Sequence, residues 1–333
     1  MLAMITGRRI WPSYGPSEGA ASIRDALRAL RRSGIHATAG AVPLEALARQ
    51  DEPPRLEAAE PLEGPQVSVR RVEPDGTTSF VAFLDGIQRS RVLAHAGTVP
   101  IVHGAVAAAV RRRERRRLTT WQEPVVAEAL YAPLRALPAA LAAALQEHCP
   151  MVDTFADEAA DAARHPQEVS ARALTAVQRA REGAEQELLT RWVREVAEPV
   201  LVDGGISANA DAARAACAVG VVKSHRTLYV SGDTLGLVLG LREGERTTAI
   251  GLSTPRRTPV ASWYLRLRTH EGRSPLHGLV RVEAARGEDL TGRADRISRW
   301  LLAERTPVAL PDQRWDVMVY GIRECEQYLS AIL

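Results

Sequence analysis

The stretch PVLVDGG at residues 199–205 is a short apolar run closed by an acid and two glycines. A continuous apolar run of this length, bounded by turn residues, has the pattern of a buried strand. The glycine pair predicts a turn directly after Asp203. The segment leading into it, about residues 168–197, carries Leu174, Val177, Ala184, Leu188, Trp192 and Val196 at helical spacing, with Arg181 on the same stripe. A long helix that delivers the chain into a buried strand is the pattern of a mixed α/β layer.

Upstream, VSVRRV (67–72), the Asp75-Gly76 turn, TTSFVAFLDG (77–86), IQRSRVLAHA (87–96) and TVPIVHGAVAAAV (98–110) predict three or four consecutive antiparallel strands between residues 67 and 110. Residues 118–197 are rich in Ala, Leu and Glu, broken by Pro124, Pro133, Pro138, Pro150 and Pro166, and read as a helical region. Downstream, a helix is expected at 208–217, then strands at VGVVKS, TLYVSG, TTAIGL, ASWYLRLR and HGLVRVEA, and closing helices near 287–304 and 313–332. An amphipathic helix at 18–33 stops at Gly34, and residues 51–66 read as a Pro- and Glu-rich linker. The expected fold is α/β: one elaborated domain over 1–333, with Asp85 on the antiparallel strands of 67–110 and the second half of the sheet in 199–333.

The chain carries 43 Lys and Arg against 40 Asp and Glu, a balance that neither demands nor excludes a polyanionic partner. Its positive charge is almost all Arg, with Lys223 the one lysine. No apolar run reaches the roughly 20 residues that cross a bilayer, and the first residues lack the apolar core of a secretory signal. A cytoplasmic location without a membrane partner is expected. Cys149, Cys217 and Cys325 are too widely spaced for a CxxC metal knuckle and read as packing residues.

Asp85 and Asp203 each end an apolar run and each precede a Gly. A carboxylate at the edge of a buried strand needs a partner, and a divalent cation satisfies several carboxylates at once. Alone, each Asp serves equally well as a turn cap. A third acid delivered between them favours a site. Helical phase puts Glu185 on the buried side of the 168–197 helix and Glu187 on the opposite side, with Glu182 as the substitute. Arg181, one turn earlier, either orients Glu185 or forms an ordinary surface pair with it. Lys223 in its apolar strand is a phosphate contact or charge stabiliser, or simply a lysine that snorkels from a strand end. His225 and Tyr264 are weaker nucleic-acid contacts that could equally pack. The run RRRERRR at 111–117 is either a solvated face or a DNA-backbone contact through Arg111, Arg112 and Arg113. VGVVKS lacks the G-x-x-x-x-G-K-[ST] spacing of a phosphate loop, so ATP hydrolysis is not expected.

FLDG at 83–86, RxxxE at 181–185, LVDGGIS at 201–207, VGVVKSH at 219–225, SWYLRL at 262–267 and LVRVEA at 279–284 together resemble the NurA nuclease family in its bacterial form. The resemblance covers residues 67–333. It implies a ribonuclease-H-like mixed sheet and a DNA nuclease with 5′ to 3′ exonuclease and single-strand endonuclease activity. Asp85, Glu185 and Asp203 would hold Mn²⁺ or Mg²⁺, with Lys223 beside them in the catalytic site. It further implies a homodimer docked on a HerA-type hexameric translocase, acting in DNA end resection, repair or phage defence. The family usually has Ser where this chain has Ile87, and its archaeal members carry a C-terminal His where this chain reads WDVMVYGIRECE, with Tyr320. The competing expectation is a catalytically silent ring that clamps DNA or regulates the translocase. A nuclease that prefers RNA is a third.

Overall fold

A computed structural model describes residues 16–38, 43–44, 53–114, 117–156, 165–230, 232–305 and 320–333. In chain order its helices are α1 (Pro16–Arg32), α2 (Ala139–Gln146), α3 (Pro166–Glu195), α4 (Ala210–Arg214), α5 (Asp233–Leu239), α6 (Leu290–Glu304) and α7 (Tyr320–Ile332). The strands are β1 (Arg55–Leu56), β2 (Glu60–Pro61), β3 (Val69–Arg71), β4 (Ala82–Ala96), β5 (Val99–Glu114), β6 (Arg117–Ala132) and β7 (Met151–Asp153). They continue with β8 (Val200–Asp203), β9 (Ala218–Val222), β10 (Thr227–Leu228), β11 (Glu245–Thr247), β12 (Ile250–Leu252), β13 (Val260–Arg266) and β14 (Leu279–Ala284).

Among the described residues, twelve strands form one sheet, ordered β2-β12-β13-β14-β9-β8-β4-β5-β6-β7 with β11 and β3 branching from β13. It is mixed. β4, β5 and β6 are an antiparallel meander, β8 joins β4 in parallel, β9 joins β8 in parallel, and β14, β13 and β12 return to antiparallel pairing. Helices cover both faces, and strand alternation sorts the side chains between them. On the first face Ala82, Leu84, Val200 and Val202 pack with Leu188 and Trp192 of α3, Ala212 of α4 and Val238 of α5. On the second face Phe83, Leu201, Val219, Val221 and Val282 pack with Ile297 and Leu301 of α6 and Ile322 of α7. The run AVAAAV of β5 lets helices approach from both sides: Val106 meets Val177 of α3, and Ala107 and Ala109 meet Cys325 and Leu329 of α7. α1 and α2 pack against Leu93, Ile101 and Leu130 at the far end of the long strands.

Two expectations change. The first part of the expected helical region, 118–197, is the strand β6, and among the described residues of that region only 139–146 and 166–195 are α-helical. Thr119, Thr120, Trp121, Val125 and Val126 favour an extended chain, and pairing with β5 outweighs the helix propensity of the neighbouring Ala and Leu. Pro124, which cannot donate to a ladder, lies where the β5–β6 register shifts between Ala108 and Val110, beside Gln122 at φ 56°. Part of the expected 51–66 linker is also woven into the fold: β1 pairs in parallel with β10, and β2 pairs with β12. The closing helix begins at Tyr320, and residues 313–319 of the expected helix lie outside the described residues. Cys149 and Cys325 are buried and Cys217 half-buried, all as free thiols. Among the described residues no helix is long and apolar enough to cross a membrane.

The same stretch supplies Glu63, whose carboxylate lies 3.1 Å from the fully buried guanidinium of Arg246, itself 2.6 Å from Asp295 of α6. Removing one partner of a buried ion pair leaves an uncompensated charge and costs about 3 kcal/mol or more. Glu63→Ala should therefore lower stability to urea by about 3 kcal/mol, whereas Glu123→Ala at an exposed site should change it by less than about 0.5 kcal/mol. Equal small effects would return residues 51–66 to the role of a loose linker.

Candidate active site

The parallel register of β4 and β8 pairs Phe83 with Leu201 and Leu84 with Val202, so Asp85 and Asp203 are the next neighbours along the two strands. Alternation turns both carboxylates to the second face, with Phe83 and Leu201. β8 ends there because Gly204 adopts φ 118°, a conformation open to glycine and few other residues. β4 runs on to Ala96, so the sheet has a step at Asp203.

The turn after Asp203 is fixed from below. The buried Glu283 carboxylate accepts the backbone N–H of Ile206 at 2.9 Å and of Ser207 at 3.3 Å, and takes the Arg281 guanidinium at 2.6 Å. Gly205 is pressed against it, with no room for a Cβ. Neither Arg281 nor Glu283 was assigned a role from sequence, although LVRVEA signalled one: two charges alternate with Val280, Val282 and Ala284 inside a strand buried on both faces.

Lys223 follows β9 on the same face as Val219 and Val221, and its Nζ donates to Asp203 Oδ2 at 2.7 Å. Glu185 arrives from α3 on the other face, above Gly86. A Cβ at Gly86 would collide with the Glu185 carboxylate, so this glycine is what lets the helix acid reach the strand. The Glu185 side chain is 12% exposed and that of Glu187 57%, which matches the helical phase expected from sequence. Arg181 binds the Glu185 carboxylate and also donates to Gln88 Oε1 on β4 at 3.3 Å, so helix and strand share one cation.

Burial pushes the Asp85 carboxyl well above the usual carboxylate range, the charges of Asp203 and Glu185 push it further, and Lys223 opposes them. Burial likewise raises Glu185 from 4.5 to about 7, against the pull of Arg181 and with a further push from Asp203. The three acids therefore feel one another's charge. Asp85 Oδ1 accepts the Gly86 N–H at 2.7 Å, and among the described residues Asp85 forms no ion pair with Arg or Lys. Ile87, two residues along the same face, packs with Ala107, Ala109, Cys325 and Leu329, so the position after Gly86 meets the apolar side of α7. Cys325 sits beside Asp85; burial and the Asp85 charge raise its thiol, which donates to the Ala109 carbonyl at 3.4 Å.

The remaining expected contacts are engaged elsewhere. Tyr264 is 1% exposed, and its hydroxyl accepts the Tyr229 N–H at 2.8 Å. The His225 Nε2–H donates to the Leu279 carbonyl at 2.8 Å, and burial lowers the ring's proton affinity. Arg111 clasps Glu324 of α7, Arg112 meets Glu198, and Arg113 clasps Glu304 of α6. Arg111 and Arg113 thus tie helices to β5, Arg112 ties the segment between α3 and β8 to it, and the three do not form a free basic face.

Carboxylate oxygens are the donors that Mg²⁺ and Mn²⁺ prefer, so the residues present fit such a cation in kind. Among the described residues no three His, Cys, Asp or Glu side chains stand as a ready cage. Asp203 leans to Lys223 and Glu185 to Arg181, which leaves Asp85 as the acid without a cationic partner.

The raised acidities set a pH dependence. Between the ordinary 4.5 and about 7 the folded chain keeps a proton on Glu185 that the unfolded chain has lost, so stability falls as pH rises through that window. Asp85 acts in the same direction from 3.8 upward. In EDTA, wild-type stability to urea should decline from pH 5 to pH 8, and Glu185→Gln should remove at most about 3 kcal/mol of that decline. An equally steep decline in the variant would detach Glu185 from the acid cluster. Scans against protein-family models and against curated proteins return no match for this chain.

Proposed function

We propose that the chain is a metal-dependent DNA nuclease on a ribonuclease-H-like sheet, acting as a 5′ to 3′ exonuclease and single-strand endonuclease. The observation that carries this reading is the side-by-side placement of Asp85 and Asp203 on parallel β4 and β8, with Glu185 brought over Gly86. An acid on the first strand of a meander, a Glu on the helix after it and an Asp ending the adjacent parallel strand form a ribonuclease-H-like succession. Asp85, Asp203 and Glu185 would hold Mn²⁺ or Mg²⁺. When bound, such a cation supplies water activation and charge stabilisation for phosphodiester hydrolysis.

The chain's own groups prepare the site. Glu185, at about 7, can take up or release a proton near neutral pH. Lys223 holds Asp203 in place and carries a positive charge at the sheet's step, where a phosphate oxygen could be met. The apolar side of α7 closes one approach to Asp85 against water. The sequence carries no phosphate-loop motif of its own, which fits delivery of DNA by a separate HerA-type translocase to a homodimeric nuclease, in end resection, repair or phage defence.

A second reading, a catalytically silent ring that binds DNA, is favoured by one observation: Arg181 and Lys223 already neutralise Glu185 and Asp203, so the fold does not require a cation. End-labelled single- and double-stranded DNA incubated with Mn²⁺, Mg²⁺ or EDTA separates the two. Metal-dependent cleavage should fall by roughly a thousandfold or more in Asp85→Ala and Asp203→Ala. Gly86→Ala should also lose cleavage while keeping its circular dichroism, because the added methyl displaces Glu185. Undiminished cleavage in both Asp variants would remove the site. No cleavage by wild type, even with a HerA-type translocase and ATP, would leave the silent ring.

A further inference from the structure

On the sheet face opposite Asp85 and Asp203, a cleft of about 480 Å³ opens beyond the ends of β9 and β10. Arg55, Arg226, Arg257 and Arg281 line it, against the carboxylates of Glu57 and Glu283. Glu283 already accepts two backbone N–H groups and Arg281, so its charge is turned inward to the chain. Arg281 forms the floor, 9% exposed, with its guanidinium 5.0 Å over the Tyr229 ring. Arg257 reaches in from the rim to Ser207 Oγ at 3.3 Å. Arg55 is held at the other rim by strand pairing, its N–H donating to the Arg226 carbonyl at 2.7 Å. The guanidinium groups of Arg257 and Arg281, held by Ser207 and Glu283, stand with the Arg55 and Arg226 side chains around a polar hollow, a donor set that matches the oxygens of phosphate groups.

The cleft shares two chain segments with the acid cluster. Ser207 lies in the turn that follows Asp203, and Ser224 directly follows Lys223. A strand whose cleaved phosphate meets Lys223 therefore reaches the cleft within a short path around the step in the sheet. We infer that this cleft binds the backbone phosphates of a single nucleic-acid strand a few nucleotides from the acid cluster. The inference rests on the nuclease reading for its choice of ligand, and on the arginine geometry for the site itself.

The test is binding of a fluorescein-labelled thymidine 20-mer by the full chain in EDTA, followed by anisotropy across a salt series. Arg55→Ala/Arg257→Ala removes two rim charges, and Arg31→Ala/Arg32→Ala removes two exposed charges from α1 as a control. The cleft variant should weaken binding roughly tenfold and flatten the slope of log affinity against log salt by about 1.4, the value for two single-strand phosphate contacts. The α1 variant should leave the slope unchanged. An unaltered slope in the cleft variant, or the same loss in the α1 variant, overturns the inference. Displacement of the 20-mer by millimolar inorganic phosphate at constant ionic strength also overturns it, by making the cleft a site for the free anion. Slope loss in the cleft variant of a chain that never cuts DNA keeps the cleft and sinks the nuclease reading. Metal-dependent cutting with an unaltered slope sinks the cleft alone.

Discussion

Parallel pairing of β4 with β8 sets two carboxylates side by side on a buried face, and much of the surrounding structure compensates for that placement. Like charges at adjacent strand positions repel, and burial removes the water that would screen them. The compensation differs for each acid. Asp203 has Lys223, Glu185 has Arg181, and at Asp85, enclosed by strand neighbours and α7, burial favours the protonated carboxyl. Such an arrangement offsets two of the acids with the chain's own cations and keeps a third whose deprotonation a bound cation would favour. Metal binding and proton release would then be one coupled event.

Precision at this point depends on groups that touch no acid of the cluster. Glu283 fastens the turn after Asp203 through backbone N–H groups, so the end of β8 cannot slide without breaking buried hydrogen bonds. On the other side, Arg111 binds Glu324 with two hydrogen bonds and so holds α7 against β5 and above Asp85. The arginine run thus contributes to the site through architecture, by securing the helix that keeps Asp85 dry.

The positions of the three acids were more legible in the sequence than the scaffold. Asp85, Asp203 and Glu185 were readable because each stands out against a local period: an acid ending an apolar run, or an acid on the apolar stripe of a helix. β6 was not, since its Ala, Leu and Glu content mimics a helix, and its extended form depends on twelve residues of β5 that pair with it only after folding; the local signal of Thr119, Thr120 and Trp121 is short. The arginine run misled for a related reason. Charge density is visible in sequence, but the acids that neutralise it, Glu198, Glu304 and Glu324, lie 86 to 213 residues away. Ile87 was legible as a departure from the motif the sequence resembles, but the apolar side of α7 that it meets belongs to the far end of the chain.

Strand alternation gives the sheet two chemically opposite faces around one step. Asp203 and Lys223 face one side; Arg281 and Glu283, on the strand next to β9, face the other, and only the short turns at 204–207 and 223–226 separate them. On the proposed reading a nucleic-acid strand would meet the arginines on the cleft side, while on the other side Lys223 and Arg181 already offset the charge of Asp203 and Glu185.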